Sequence, residues 1–446
     1  MGLLRRAIFI GAHTLMEPKF YSTYKMLVKN QWKSYEEHKK QQEKQLRAMI
    51  QFAYRNVPYY HELFKTLNLK PDDIRTIEDL EKLPILTKDI IRKNWDKFKP
   101  VNLRRIRYTI QSTGGSTGQP LRYRLSQYDR FLGVALMYRG WGYGGYRLGD
   151  KLFYFGGSAL IPSLSSTLKI KLHEITRNTR FISSFDLNDE TLKMYTFEFN
   201  KSKPAFLRGY ASSIYFWAKW IIENGIQIHT PNAIFTTAEK LFPHMRKTIS
   251  EAFGCDVYNN YGLNDGGVSA YECSEHQGLH IDTERSIMEI VDSNGEQIEE
   301  GEGMILATSL HNYAMPFIRY NTGDVGYLIS DKCNCGRGYK LLKDILGRQQ
   351  EFLITPEGKY IHGEFISHIF WEIEGVKEFQ VIQDAVDHIL IQLNVEDNFD
   401  ESQLKKIEEI IKLRAPGWNV EFKFVDSIKR TKAEKYRFVV NKLLFK

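Results

Sequence analysis

The sequence predicts an α/β protein in two parts: a large mixed α/β N-terminal body and a small α+β C-terminal domain. Three observations carry this. At roughly 150 residues per domain, a chain of 446 residues implies two or three domains. Between about 150 and 330, short apolar runs alternate with helical patterns, the signature of α/β layers. Beyond about 370 the pattern changes to strand, strand, helix, strand.

The elements follow in chain order. Residues 31–55 carry Glu, Lys and Gln, with Leu46, Met49, Ile50 and Phe52 near the end, which predicts a helix with a solvated face, stopping at Val57-Pro58. Asp72-Asp73 and the stretch 76–80 read as helix starts. Residues 101–125 alternate as strands around a glycine-rich loop. Strands are expected at 151–155, 205–208, 233–236 and 304–308, and helices at 212–223 and 244–253. The small domain should hold strands at 379–383, 388–395 and 420–425 and a helix at 402–413 that turns Leu404, Ile407, Ile410 and Ile411 inward.

Composition excludes several classes. With 42% hydrophobic and 26% charged residues the chain is an ordinary soluble globular protein. Its formal charge of +8 is spread among interspersed acids, so no nucleic-acid partner is expected. Four cysteines, at 255, 273, 333 and 335, are too few for a secreted disulfide scaffold, and a reducing, cytoplasmic compartment is expected. No apolar run approaches the ~20 residues of a membrane span, and a signal peptide is not expected. The N-terminal stretch 2–16, with Arg5-Arg6, reads either as a helix packed on the body or as a weak membrane-surface contact.

The densest chemical signal is Ser112-Thr113-Gly114-Gly115-Ser116-Thr117-Gly118-Gln119-Pro120, between two strand-like segments. Glycines let the backbone turn with its N–H groups converging, and the hydroxyls add donors, which is what a polyphosphate requires. It lacks the Gly-Lys-Ser/Thr ending of a Walker A loop. A plain structural turn is the competing reading.

This loop resembles the phosphate-binding loop of the adenylate-forming superfamily, and further motifs follow in that family's order. Thr236-Thr237-Ala238-Glu239 resembles its segment beside the adenine. Tyr258-Asn259-Asn260-Tyr261-Gly262-Leu263-Asn264-Asp265 resembles its Tyr-Gly-x-x-Glu motif, and Arg319-Tyr320-Asn321-Thr322-Gly323-Asp324 its Arg-Tyr-x-Thr-Gly-Asp motif. Leu346-Gly347-Arg348 is similar to the segment entering the hinge, and Arg430-Thr431-Lys432-Ala433-Glu434-Lys435-Tyr436-Arg437 to the C-terminal lysine loop. Asn56-Val57-Pro58-Tyr59-Tyr60, the lysine loop and the cysteines point to the branch of phenylacetate-CoA ligase and its capsule-biosynthesis, CapK-like relatives.

The resemblance implies a body over 1–347 that binds ATP and acid, a hinge at 348–350 and a mobile lid over 351–446. It implies ATP with Mg²⁺, the loop 112–118 holding phosphates, Thr237, Ala238, Glu239, Asn260, Tyr261 and Gly262 near the nucleotide, and Asp324 accepting from the ribose hydroxyls. Asp265 stands where the family has a Mg²⁺-binding Glu; a turn aspartate is the competing reading. Arg319 and Arg348 would flank the nucleotide, with a structural ion pair as the alternative for either. Lys435 would serve catalysis, because a compact ammonium on a long stem can reach the α-phosphate in one domain arrangement and leave in another. Lys432 is its competitor, and a solvated basic face the plain alternative. Gln119 and Gln350 depart from the family's Lys and Asp.

Cys333-Asn334-Cys335 places two thiols at ligand spacing, and Cys273 precedes two imidazoles, His276 and His280. Soft S and N donors at four corners suit a structural Zn²⁺, against a pair of buried free thiols. The resemblance favours Cys273, His280, Cys333 and Cys335.

The expected activity is therefore AMP-forming activation of a carboxylic acid, followed by acyl transfer to CoA. The alternatives are an amide or ester ligase with an amine or sugar acceptor in cell-surface polysaccharide synthesis, and a degenerate nucleotide binder. Aromatics at 141–146 and 210–215 would suit a flat or apolar acid. The relatives incline the reading to a homodimer.

Overall fold

The computed structural model describes residues 2–113, 121–156, 167–183, 189–348, 352–356, 360–362, 366, 369–370, 373–430 and 437–443. The chain divides into two compact units, Met1–Leu346 and Gly347–Lys446.

The first unit opens with helices α1 (Gly2–Met16), α2 (Phe20–Asn30), α3 (Tyr35–Asn56), α4 (Pro58–Thr66) and α5 (Lys88–Lys93). At the start of α3, Ser34 and Glu37 form a reciprocal cap, each side chain bonding the other's backbone N–H. The expected helix starts at 72–73 and 76–80 are realised only as single 3₁₀ turns, Pro71–Asp73 and Glu78–Lys82, too short to bury an apolar stripe. A hairpin of β1 (Tyr108–Ser112) and β2 (Arg122–Ser126) follows, then α6 (Gln127–Trp141).

Next come β3 (Leu152–Gly156), α7 (Thr167–Arg177), β4 (Thr179–Ser183), α8 (Asp189–Ser202), β5 (Phe206–Tyr210), α9 (Ala211–Glu223), β6 (Ala233–Thr237), α10 (Pro243–Phe253) and β7 (Asp256–Gly262). The strand and helix alternation read from the sequence is thus present as far as β7, because each parallel pair needs a helical crossover; beyond it the expected alternation gives way to antiparallel strands, which need none. Strands β8 (Ser269–Glu272), β9 (Leu279–Ile281), β10 (Ser286–Val291), β11 (Gly301–Ser309), β12 (Tyr320–Ile329) and β13 (Leu341–Arg348) complete the body.

Among the described residues these strands form one mixed sheet in the order β10-β11-β12-β13-β9-β8-β7-β6-β5-β3-β4. Strands β4, β3, β5, β6 and β7 run parallel, and β7, β8 and β9 antiparallel. Register aligns Phe181, Tyr154, Arg208, Phe235 and Tyr258 in one cross-strand row, and Tyr210, Thr237 and Asn260 in a row nearer the carboxyl ends. α6 packs over this region with Trp141 stacked on Phe235, their centroids 5.6 Å apart. Gly140 is what allows the approach: a Cβ there would lie 2.2 Å from the ring of Tyr271.

The second unit carries β14 (Phe352–Ile354), β15 (Tyr360–His362), β16 (Val376–Ala385), β17 (His388–Val395), α11 (Gln403–Arg414), β18 (Asn419–Phe424) and β19 (Val439–Asn441). A four-stranded sheet, β18-β17-β16-β19, packs on α11. Ile407 and Ile411 are fully buried there, with Leu404 and Ile410 partly so, the inward stripe expected from their spacing.

Candidate active site

Parallel strands bind ligands at their carboxyl ends, and here β6 and β7 deliver the expected residues to one place. Thr237 ends β6, and Asn260, Tyr261 and Gly262 end β7. All four line a cavity of about 650 Å³, within the range of ligand pockets. Both polar atoms of the Asn260 side chain are buried without a partner, an arrangement that ordinarily costs free energy and so favours a polar ligand. Ala238 turns the chain with φ +67°, a left-handed conformation that strains a non-glycine residue. Glu239 then accepts a hydrogen bond from Ser212 N–H at 2.9 Å, at the start of α9.

Two tyrosine–aspartate pairs cross between β7 with its following loop and β12. The Tyr261 hydroxyl donates to Asp324 Oδ2 at 2.9 Å, and the Tyr320 hydroxyl donates to Asp265 Oδ2 at 2.8 Å. Burial raises the Asp265 pKa, opposed by the charge of Lys88 and by the Tyr320 hydrogen bond. Burial, and then the adjacent aspartate, push both tyrosines well above the ordinary phenol value, so the hydroxyls remain donors. A buried carboxylate fixed through one oxygen suits Mg²⁺, which is commonly held by one or two carboxylates plus phosphate oxygens.

Lys88 has no counterpart in the sequence reading. It opens α5, whose first turn is capped by Thr87, and its Nζ lies 3.5 Å from the Thr322 carbonyl oxygen, beside Asp265 and Asp324. Only its place after an N-cap threonine could have drawn attention to it, and such caps are common.

Other expectations divide. Ser112 ends β1 and Thr113 follows it, and Leu121 N–H donates to Thr113 Oγ1 at 2.9 Å, closing the neck of the glycine-rich loop. Gly114, Gly115, Ser116, Thr117, Gly118, Gln119, Gln350, Lys432 and Lys435 lie outside the described residues, as does the side chain of Arg348. For Arg319 the ion-pair alternative holds. Its Nε donates to Glu289 at 3.1 Å, Nη1 to the Leu83 carbonyl at 2.9 Å and Nη2 to the Gly295 carbonyl at 2.6 Å, all buried. Of the aromatic stretches expected at the acid, Trp141 lines the cavity whereas Tyr210 is packed into the core.

The four expected metal ligands converge. Cys273 follows β8, His280 lies in β9, and Cys333 and Cys335 sit between β12 and β13, with ligand atoms all within 4.8 Å of one another. Sγ of Cys273 and Cys333 are 3.6 Å apart, and Cys335 Sγ is 3.4 Å from His280 Nε2. Edges of a tetrahedron with Zn–S of about 2.3 Å and Zn–N of about 2.0 Å would be roughly 3.5–3.8 Å, so the donor set fits the ion. Burial, with the positive charges of Arg337 and Arg139, lowers the His280 pKa to about 3, leaving the neutral imidazole a metal requires. His276 is engaged elsewhere, 3.1 Å from Glu272 Oε1.

Comparisons with known proteins agree with this architecture. Residues 353–442 match the family described as the CapK C-terminal domain. The chain is 29% identical over 408 residues to protein CapK of Staphylococcus aureus, covering 90% of this chain and 89% of CapK. It is 27% identical over 374 residues to phenylacetate-coenzyme A ligase of Thermus thermophilus, covering 82% and 80%. Among solved structures, 2-hydroxyisobutyryl-CoA ligase in the postadenylation state with 2-HIB-AMP superimposes with a TM-score of 0.72, at 19% identity over 92% of this chain and 91% of that one. The fold is that of the 2-hydroxyisobutyryl-CoA ligase structures. In sequence the chain is similar to CapK and to the phenylacetate-coenzyme A ligases, and its C-terminal part matches the CapK C-terminal domain.

Proposed function

We propose that this enzyme activates a carboxylic acid with ATP and passes the acyl group to the thiol of CoA. In the first half-reaction a carboxylate oxygen attacks the α-phosphorus, the bond to the bridging oxygen breaks, and pyrophosphate leaves with the electron pair. In the second, a nucleophile attacks the acyl carbon, loses its proton, and AMP departs. The observation that carries the reading is the convergence of Asp265, in the loop after β7, and Asp324, within β12, beside the unpartnered Asn260 amide at the end of β7 and a cavity able to take an acid.

Asp324 would accept from the ribose hydroxyls as an acceptor-only group. Asp265 would hold Mg²⁺, which supplies charge stabilisation to the phosphates. Thr237, Ala238, Glu239, Tyr261 and Gly262 would surround the nucleotide, with Arg348 at the hinge over 348–350. Ser112, Thr113 and the loop through Gly118 would hold phosphates. Lys435, carried by a mobile lid over 351–446, would meet charge developing at the α-phosphate. Cys273, His280, Cys333 and Cys335 would bind a structural Zn²⁺, since protein donors fill all four corners.

The match to CapK favours a second reading, in which an amine or sugar of a cell-surface polysaccharide replaces CoA. Among the described residues no helix is long and apolar enough to cross a membrane. A cytoplasmic homodimer would accord with either acceptor.

The test is pyrophosphate release with Mg-ATP across aryl, fatty, amino and sugar acids, with hydroxylamine as trap. One acid class should yield hydroxamate that Lys435→Ala abolishes, and adding CoA or amine then names the acceptor. Binding of ATP without pyrophosphate release from any acid would identify the degenerate alternative, and absence of ATP binding would overturn the reading.

A further inference from the structure

Among the described residues no carboxylate answers the positive charge of the cavity. Arg208, on β5, spreads its guanidinium 4.8 Å from the ring centroid of Trp141 and 5.4 Å from that of Tyr154. Its one hydrogen bond among the described residues is long, Nη1 to the Tyr154 hydroxyl at 3.5 Å, and its Nε is buried without a partner. Arg177, the last residue of α7, enters the same space, and among the described residues it donates to the sulfur of Met16 alone, at 3.4 Å. Both guanidinium charges are felt at the Tyr138 hydroxyl, so they act on one region. His173 joins them with a buried, unpartnered Nδ1.

No Asp or Glu lines this cavity among the described residues. The contrast with Arg285 is direct, since that buried arginine, at the cavity edge, is paired with Asp129 at 2.8 Å. Burial and the charge of Arg177 hold His13 neutral with its pKa at about 3, and the same two causes lower that of His173. The positive charge of the cavity therefore belongs to the arginines. Holding partly buried guanidinium groups without a counter-charge is costly. A planar fork stacked on aromatic rings is also the usual recognition device for carboxylate or phosphate.

Arg208 belongs to the cross-strand row two residues before that of Thr237 and Asn260, so both rows open on the same cavity. Resting on the adenylation reading above, we propose that the acid activated here carries a second anionic group, a carboxylate or phosphate, bound by Arg208 and Arg177. The aromatic walls then face the spacer between the two charges.

The experiment compares matched acids, hexanoate with adipate and phenylacetate with 4-carboxyphenylacetate, by ATP-dependent hydroxamate formation and, separately, by calorimetric binding to the full chain. The dianion of each pair should be favoured at least roughly tenfold in kcat/KM, as expected of a desolvated charge-assisted contact. Arg208→Met should remove that preference. Arg177→Met, on a different element, repeats the test should the β5 substitution unfold the chain. Equal use of both members of each pair by the wild type would overturn the proposal, as would absence of dianion binding. Binding of adipate but not hexanoate, lost in Arg208→Met yet without hydroxamate from any acid, would uphold the anion site and overturn the adenylation reading instead.

Discussion

Tyr320 donates its hydroxyl hydrogen to Asp265 at 2.8 Å while Tyr261 does the same to Asp324 at 2.9 Å, so each of two chain segments supplies one tyrosine and one aspartate to the other. This reciprocal bracing holds two acidic side chains of the candidate site in place. Removing the Tyr320 hydroxyl with Phe takes one hydrogen bond from a buried carboxylate, worth about 1.5–3 kcal/mol. The expected result is a fall of roughly 10- to 100-fold in kcat/KM for Mg-ATP, with a larger loss in Asp265→Asn. Pyrophosphate release at varied Mg²⁺ measures both, and an unchanged Mg²⁺ dependence in Tyr320→Phe would show that the bond does not tune the metal site.

The cysteine–histidine cluster should bring zinc through purification in stoichiometric amount. Cys335→Ser should lower that content and the melting temperature together, because structural zinc contributes folding free energy directly. Elemental analysis beside thermal unfolding checks this; metal-free protein of undiminished stability would leave a set of buried thiols in its place.

Arg319 and Glu289 form a buried pair, with both side chains nearly excluded from solvent. Burial raises the Glu289 pKa to about 7 despite the neighbouring guanidinium. Arg319→Leu should therefore cost about 3–5 kcal/mol by stranding the glutamate, and adding Glu289→Gln should restore part of it. Denaturant unfolding of single and double variants measures the coupling, and simple additivity would argue against it.

His13 predicts an acid limb of stability. Its Nδ1 donates to the Phe9 carbonyl at 2.9 Å, so Nε2 is the acceptor for the Tyr138 hydroxyl at 3.3 Å, and a second proton has no place beside Arg177. Because the folded pKa is about 3 against 6.5 in the unfolded chain, the unfolded state binds more protons below pH 6.5, and stability falls as pH drops. Between pH 6.5 and 5 this residue alone should remove about 2 kcal/mol. His38, His173 and His311 are lowered by burial as well, so the comparison of wild type with His13→Phe isolates one share. Equal slopes in the two proteins would rule out this assignment.

What the sequence determined by itself is whatever depends on neighbours along the chain. Periodicity located the crossover strands and α11, because burying one face at a fixed repeat is a local property. Resemblance to a family's ordered motifs, and not spacing alone, marked Asp265 and Asp324 and favoured His280 over His276 beside Cys273, Cys333 and Cys335; by themselves these residues read equally as turn aspartates and buried thiols. Tertiary structure decided the rest. Only strand register sets Arg208 two residues behind Thr237 and Asn260, and only the packing of α7 brings Arg177 to the same cavity. Lys88 became part of the site because the start of α5 lies beside Asp265 and the Thr322 carbonyl, and Arg319, inside a recognisable motif, turned away to Glu289. A charge takes its role from the partner it meets and the water it loses, and both are supplied by segments far apart in sequence.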